Sequence, residues 1–323
     1  MMEAQWRPGT SETVDTGGLS QLSDSVAPPS PRPPTVPTAV SWTRRAWWRV
    51  LLIGFVLYLV EMRLLASSGN PNLVPTVIFL GAFLVPVTYV VFLYEHGVFT
   101  RVSPLVVALT FFFGGVLGTM AAQLIEQQVV HGLGLVAMLA VGFSEEVAKL
   151  IAIAWLFGKQ EYRSTWHGII FGAAAGMGFA AFESMGYGFT FLLQSRGNLD
   201  VLGEVLLTRG LLSPLGHGTW AAIVAGVLWR ERREGRFRVN GAVLRAFFGV
   251  VMLHGLWDWT ASAIPIGIAL PGLMLEWRSI DLMIPELWLP IPGLIVGLIG
   301  LWILARLLRQ ARREQGLPDA DEP

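Results

Sequence analysis

A run of apolar residues from about Leu133 to Phe157 is long enough to cross a bilayer, yet its centre reads Gly142-Phe143-Ser144-Glu145-Glu146-Val147-Ala148-Lys149. Each ionisable group at the middle of a membrane helix costs about 2.5–3.5 kcal/mol on the insertion scale, so such residues are rare and usually functional. At roughly 100° per residue, Glu145, Glu146 and Lys149 share an arc of about 100° on a helix. One polar face is therefore aimed at one place. Lys149 follows Glu145 by four residues, the favourable Glu-before-Lys order, and offsets part of the buried negative charge.

Similar apolar stretches recur along the chain, and only 14% of its 323 residues are charged, against about 25% in soluble domains. Eight spans are expected, at about 47–66, 74–94, 104–122, 133–157, 167–193, 209–229, 243–263 and 287–307. The fold class is all-α, a polytopic helix bundle in the cell membrane. Pro75, Pro86, Pro214 and Pro290 mark span starts or kinks. The apolar stretch 264–286, with Pro265 and Pro271, reads as a loop or a re-entrant segment. Residues 1–42 are rich in Pro and Ser and read as a disordered cytoplasmic tail. A transmembrane domain over 43–310 and a short charged tail over 311–323 complete the organisation. The net charge of zero gives no reason to expect nucleic acid. The lack of cysteine excludes disulfides and thiolate chemistry.

Arginine placement orients the bundle. With the N-terminus inside, the inner segments hold Arg44, Arg45, Arg49, Arg101, Lys159, Arg163, the basic run 230–238, Arg245, Arg306, Arg309, Arg312 and Arg313. The outer loops hold only Arg63, Arg196, Arg209 and Arg278. That asymmetry follows the positive-inside rule with an even number of spans, so both termini are expected to face the cytoplasm.

Three later spans also carry polar groups. Glu183 shares a stripe with Phe179, Gly176 and Gly172, and so should point at a packed neighbour rather than at lipid. His217 shares one with Gly210, Ser213, Ala221 and Val224. His254 is followed one turn later by Asp258, which could orient its ring. At 1.5 Å per residue, Glu145, Glu183, His217 and His254 all fall within about 5 Å of the span midpoints. Taken singly, each His reads equally well as a hydrogen-bonding strut between helices, and Asp258 as an interfacial charge. The glutamate pair has no such simple structural reading, because two buried carboxylates repel.

Glu145-Glu146-x-x-Lys149, Phe179-x-x-x-Glu183, the His217 segment and His254-Gly-x-Trp257-Asp258 together resemble the successive motifs of the PrsW-type intramembrane metalloproteases. That group is distantly similar to the CAAX prenyl endopeptidases and bacteriocin-processing proteases. The resemblance covers about residues 133–262, and the first three spans and the last match nothing usable. It implies cleavage of a membrane-anchored protein, in the type case an anti-sigma factor. It also implies an active site of Glu145, Glu146, Glu183, His217 and His254, with Lys149 beside them and Asp258 behind His254.

The residue chemistry allows hydrolysis in two forms. In one, Glu183, His217 and His254, with or without Glu146, hold a divalent metal such as Zn2+, and a remaining glutamate is the general base. In the other, no metal is needed: one carboxylate activates water and histidine donates to the oxyanion. No His-Glu-x-x-His helix is present, so spacing does not specify zinc, and only the resemblance favours the metal form. A proton- or cation-coupled transporter would also gather carboxylates and histidines at the midplane. The hydropathy pattern shows no internal repeat to support it. A non-catalytic scaffold leaves the glutamate pair unexplained.

Overall fold

The computed structural model describes residues 45–96, 102–132, 134–158, 161–264, 266–277, 280–285 and 287–314. The tail expected over 1–42 and all but the start of that expected over 311–323 lie outside the described residues. Nine helices occupy these segments: α1 Ala46–Ser68, α2 Val74–His96, α3 Pro104–Val129, α4 Leu135–Phe157, α5 Thr165–Gln194, α6 Leu199–Leu212, α7 His217–Arg230, α8 Gly241–Ala263 and α9 Ile291–Glu314. Their starts carry the expected chemistry. Ser103 accepts from the Leu105 amide ahead of Pro104, and the Asn198 and Asn240 side chains cap α6 and α8.

Seven helical stretches among the described residues are long and apolar enough to cross a membrane. The helix α4, 23 residues long, has the same character except for Glu145, Glu146 and Lys149. Counting α4 with them matches the number of crossings expected, and the chain is a multi-pass membrane protein. The sixth crossing differs in detail from its expected bounds. It runs Leu199–Arg230 as two helices, α6 and α7, broken by a 3-10 turn at Ser213–Leu215. Pro214 lies in that turn, where it cannot continue an α-helical hydrogen-bond ladder. Arg209, expected in an outer loop, therefore sits inside a helix of the bundle.

The stretch expected to be a loop or re-entrant instead forms paired strands: β1 Gly267–Leu270, β2 Leu273–Trp277, β3 Ile280–Ile284 and β4 Leu287–Pro290. β1 pairs antiparallel with β4, and β2 with β3. Pro271 and Pro285 stop any helix there, and cross-strand pairing satisfies the backbone instead. The last helix accordingly begins at Ile291, directly after Pro290, and not at 287. It runs on to Glu314, past the boundary expected near 310, and Glu314 Oε2 accepts from Thr165 Oγ1 at 2.6 Å.

The helix α5 is the axis of the bundle, in contact with α2, α3, α4, α6 and α7. Lipid tails are as apolar as leucine, so such packing relies on close van der Waals approach between small residues. A Cβ on Gly172 would strike the Ala221 carbonyl of α7, and one on Gly176 would strike that of His217. The stripe that carries Glu183 is thus pressed against the helix that carries His217. On the far side of the site, a Cβ on Gly142 of α4 would lie 3.1 Å from His254 Cβ of α8.

Candidate active site

These contacts bring all of the expected polar residues into one cluster. Lys149 Nζ lies 2.8 Å from Glu146 Oε1 and 3.1 Å from Glu145 Oε2. It also stands 3.0 Å from His217 Nδ1, and the Phe179 ring lies 4.0 Å from it. Glu145 Oε2 is 3.6 Å from His217 Nδ1 and 3.5 Å from His254 Nε2. The His254 Nδ1 faces Glu146 Oε1 at 3.0 Å, and its Nε2 is 3.4 Å from Asp258 Oδ2. Glu183 Oε2 lies 3.1 Å from His217 Nε2. The His254 ring packs against Trp220, with centroids 4.6 Å apart.

Two residues not expected in the site adjoin it. Arg209 of α6 donates from Nη2 to Glu183 Oε2 at 2.7 Å and from Nε to Ser184 Oγ at 3.1 Å. Glu126, near the end of α3, lies within electrostatic reach of Glu183, His254, Lys149 and Asp258. Its stripe on α3 runs through Gly118, against Phe179 and Lys149 Cγ, and Ala122, against Ala148 and Phe179. Both signals were faint. The arginine stands at the very boundary of the expected span 209–229, and the glutamate lies in the polar run Gln123-Leu124-Ile125-Glu126-Gln127-Gln128 that closes an apolar segment.

Exposure is graded across the cluster. The Lys149 and Glu146 side chains are fully enclosed, whereas Asp258 and Arg209 are 28% and 30% exposed. Asp258 lies in the half of α8 that ends at Ala263, and Arg209 in the last turn of α6.

Residues 96–283 match the model of the PrsW family of intramembrane metalloproteases, more than half of the chain. The chain belongs to that family. A region of 123 residues is 32% identical to a protease PrsW of Halalkalibacterium halodurans, covering 38% of this chain and 52% of that protein. The chain thus spans about half the length of the curated relative it matches. No solved structure matches it. The family match extends beyond the motif region to take in α3, and with it Glu126.

A PrsW-family site should accommodate a divalent metal, and the donors present suit one. Ligand atoms of Glu145, His217 and His254 all lie within 4.8 Å of one another. Two ligands held tetrahedrally about 2.0–2.1 Å from one ion lie roughly 3.4 Å apart, close to the separations of Glu145 Oε2 from both rings. Glu146 Oε2 is buried and has no hydrogen-bond partner among the described residues. The carboxyl groups of Glu126, Glu145, Glu146, Glu183 and Asp258 gather around only two basic side chains of Lys and Arg type, Lys149 and Arg209, an oxygen-rich donor set that suits a divalent cation. The trio differs from the expected set by substituting Glu145 for Glu183 and Glu146. Glu183 instead bonds outward to Arg209, and Glu146 is turned toward Lys149 and His254.

Proposed function

We propose that this chain is an intramembrane endopeptidase that hydrolyses a peptide bond in a membrane-anchored protein, with both termini in the cytoplasm. The observation that carries the reading is the meeting of the α4 glutamate pair with the His217 and His254 rings inside a PrsW-family bundle. An anti-sigma factor is the substrate class by family resemblance. The Arg-rich inner segments support the orientation.

Glu145, His217 and His254 would hold a divalent metal, Zn2+ by the nature of its donors. When bound, the metal supplies a Lewis acid that polarises the scissile carbonyl and stabilises the developing oxyanion. The residues around it do the rest. Glu146, whose Oε2 has an unused acceptor, takes a proton from the attacking water as the C–O bond forms. The same proton then passes to the leaving nitrogen as the C–N bond breaks. His254, donating from Nδ1 to Glu146, and Lys149 hold that carboxylate in place. Asp258 Oδ2 stands 3.4 Å from the His254 Nε2 that faces the metal position, a carboxylate at the edge of the site.

A metal-free form has one observation in its favour: Lys149 Nζ already faces Glu145 Oε2 and His217 Nδ1, two of the three atoms a metal would use. There Lys149 would be the resident cation and Glu145 the base. Metal analysis of the purified protein separates the two. The wider reading is tested in proteoliposomes holding a membrane-anchored substrate. Cleavage supports the protease, whereas ion flux without cleavage supports the transporter alternative.

A further inference from the structure

We infer that Arg209 is a positioning residue of this site: its guanidinium fixes the Glu183 carboxylate and, through it, the orientation and tautomer of the His217 ring. The inference rests on the hydrolase reading for its functional meaning, but not for its geometry. Three groups on α5 grip Arg209. Glu183 Oε2 accepts from Nη2 at 2.7 Å, Ser184 Oγ accepts from Nε at 3.1 Å, and the Tyr187 ring lies 4.0 Å from the guanidinium carbon. A planar fork held at its edge by two acceptors and on its face by an aromatic ring has little freedom left. Lysine, a flexible point charge, cannot make the same set of contacts.

The Glu183 oxygen that receives Arg209 is the one that faces His217 Nε2 at 3.1 Å. An ionised carboxylate only accepts hydrogen bonds, so His217 must carry its proton on Nε2. Its Nδ1 lone pair is then turned inward, to Lys149 Nζ at 3.0 Å and the Glu145 oxygen at 3.6 Å. This is the outer-partner arrangement by which a carboxylate fixes a ligating imidazole. Arg209 adds the group that holds the carboxylate.

The break in the sixth crossing lies between the two residues that meet at Glu183. In an unbroken helix, residues 209 and 217 would be separated by about 12 Å along the axis. The turn at Ser213–Leu215 interrupts the helix, and both side chains reach one oxygen atom. Arg209 closes a path that leaves α6, crosses to α5 and returns to α7 within a single span.

A purely structural arginine would pin α6 to α5 and nothing more. A double-mutant cycle of Arg209→Gln and Glu183→Gln, with Arg209→Lys alongside, separates the two roles. The readouts are turnover of a membrane-anchored substrate, KM, thermal stability in detergent, and the His217 15N signals of the purified protein. With five histidines in the chain, those signals are assignable by single substitutions. The expected result is a loss of about 10–100-fold in kcat for Arg209→Gln with KM little changed, and only partial recovery with lysine. In the Glu183→Gln background the same change should cost nothing further in turnover, and His217 should lose its single Nε2-protonated form when Arg209 is removed. An unchanged His217 tautomer in Arg209→Gln would overturn the inference, as would an undiminished further loss of turnover in the Glu183→Gln background. If the wild-type protein cleaves nothing while the tautomer still depends on Arg209, the hydrolase reading fails and the positioning role stands.

Discussion

His254 Nδ1 lies 3.0 Å from Glu146 Oε1, a contact that joins α8 to α4 at the fully enclosed centre of the bundle. Removing the ring takes a donor from a buried carboxylate. His254→Ala, like His217→Ala and Glu183→Gln, should reduce turnover of a membrane-anchored substrate by at least about 10²-fold. All three should still insert and purify as monodisperse species, because helix packing there rests on Gly142, Gly172 and Gly176. Near-normal turnover in two of the three would contradict a shared site.

Lys149 is the cation closest to both glutamates of α4. Breaking a buried ion pair by removing one partner costs about 3–5 kcal/mol, because the remaining charge is left uncompensated. Lys149→Met should therefore unfold at markedly lower temperature in detergent. Adding Glu146→Leu should recover much of that loss while leaving the protein inactive. A single Lys149→Met variant with wild-type stability would show that the three groups are not the tight cluster described.

The α5–α7 contact sets the position of His217. Gly176→Val would force a branched side chain into the His217 carbonyl, so the helices must separate. The expected outcome is loss of activity with lowered stability. Gly186, on the same helix but with nothing within 4 Å of an added Cβ, is the control, and Gly186→Ala should be tolerated.

The chain has no cysteine, so it is already a background for thiol labelling. Cysteine placed at 128, 200 or 278 should react with an impermeant reagent from outside, and at 235 only from inside. Glu126→Cys should also react from outside, because Glu126 lies in the last turn of α3, which leads to the outer loop. Leu124→Cys, at an apolar position exposed on α3, should react far less if that face meets lipid. External labelling at 235 would reverse the orientation.

Much of the site was legible because an ionisable residue in an apolar run has few bland explanations. Glu145, Glu146 and Lys149 announced themselves in this way, and the small-residue stripe beside Glu183 pointed it inward before any contact was known. The choice among carboxylates was not legible. Glu145 and Glu146 differ by one helical step, and which of them meets both imidazoles depends on how closely α4 approaches α8 at Gly142, a tertiary fact. Arg209 was lost because a positive charge near a span boundary is ordinarily a topology signal, and nothing local says that α6 begins ten residues earlier. The strands over 267–290 were obscured for a related reason: short apolar runs between prolines carry no periodicity that separates a hairpin from a re-entrant loop.

Turnover and metal content measured together in Glu145→Gln and Glu146→Gln test the central claim most directly. Glutamine keeps the shape of the side chain but can neither accept the proton nor supply a carboxylate ligand. The account predicts that wild-type protein carries about one divalent ion per chain and that Glu146→Gln keeps it while losing roughly 10²–10⁴-fold in turnover with substrate still bound. It predicts that Glu145→Gln loses both the ion and the activity. Full turnover in both variants would contradict the protease reading altogether.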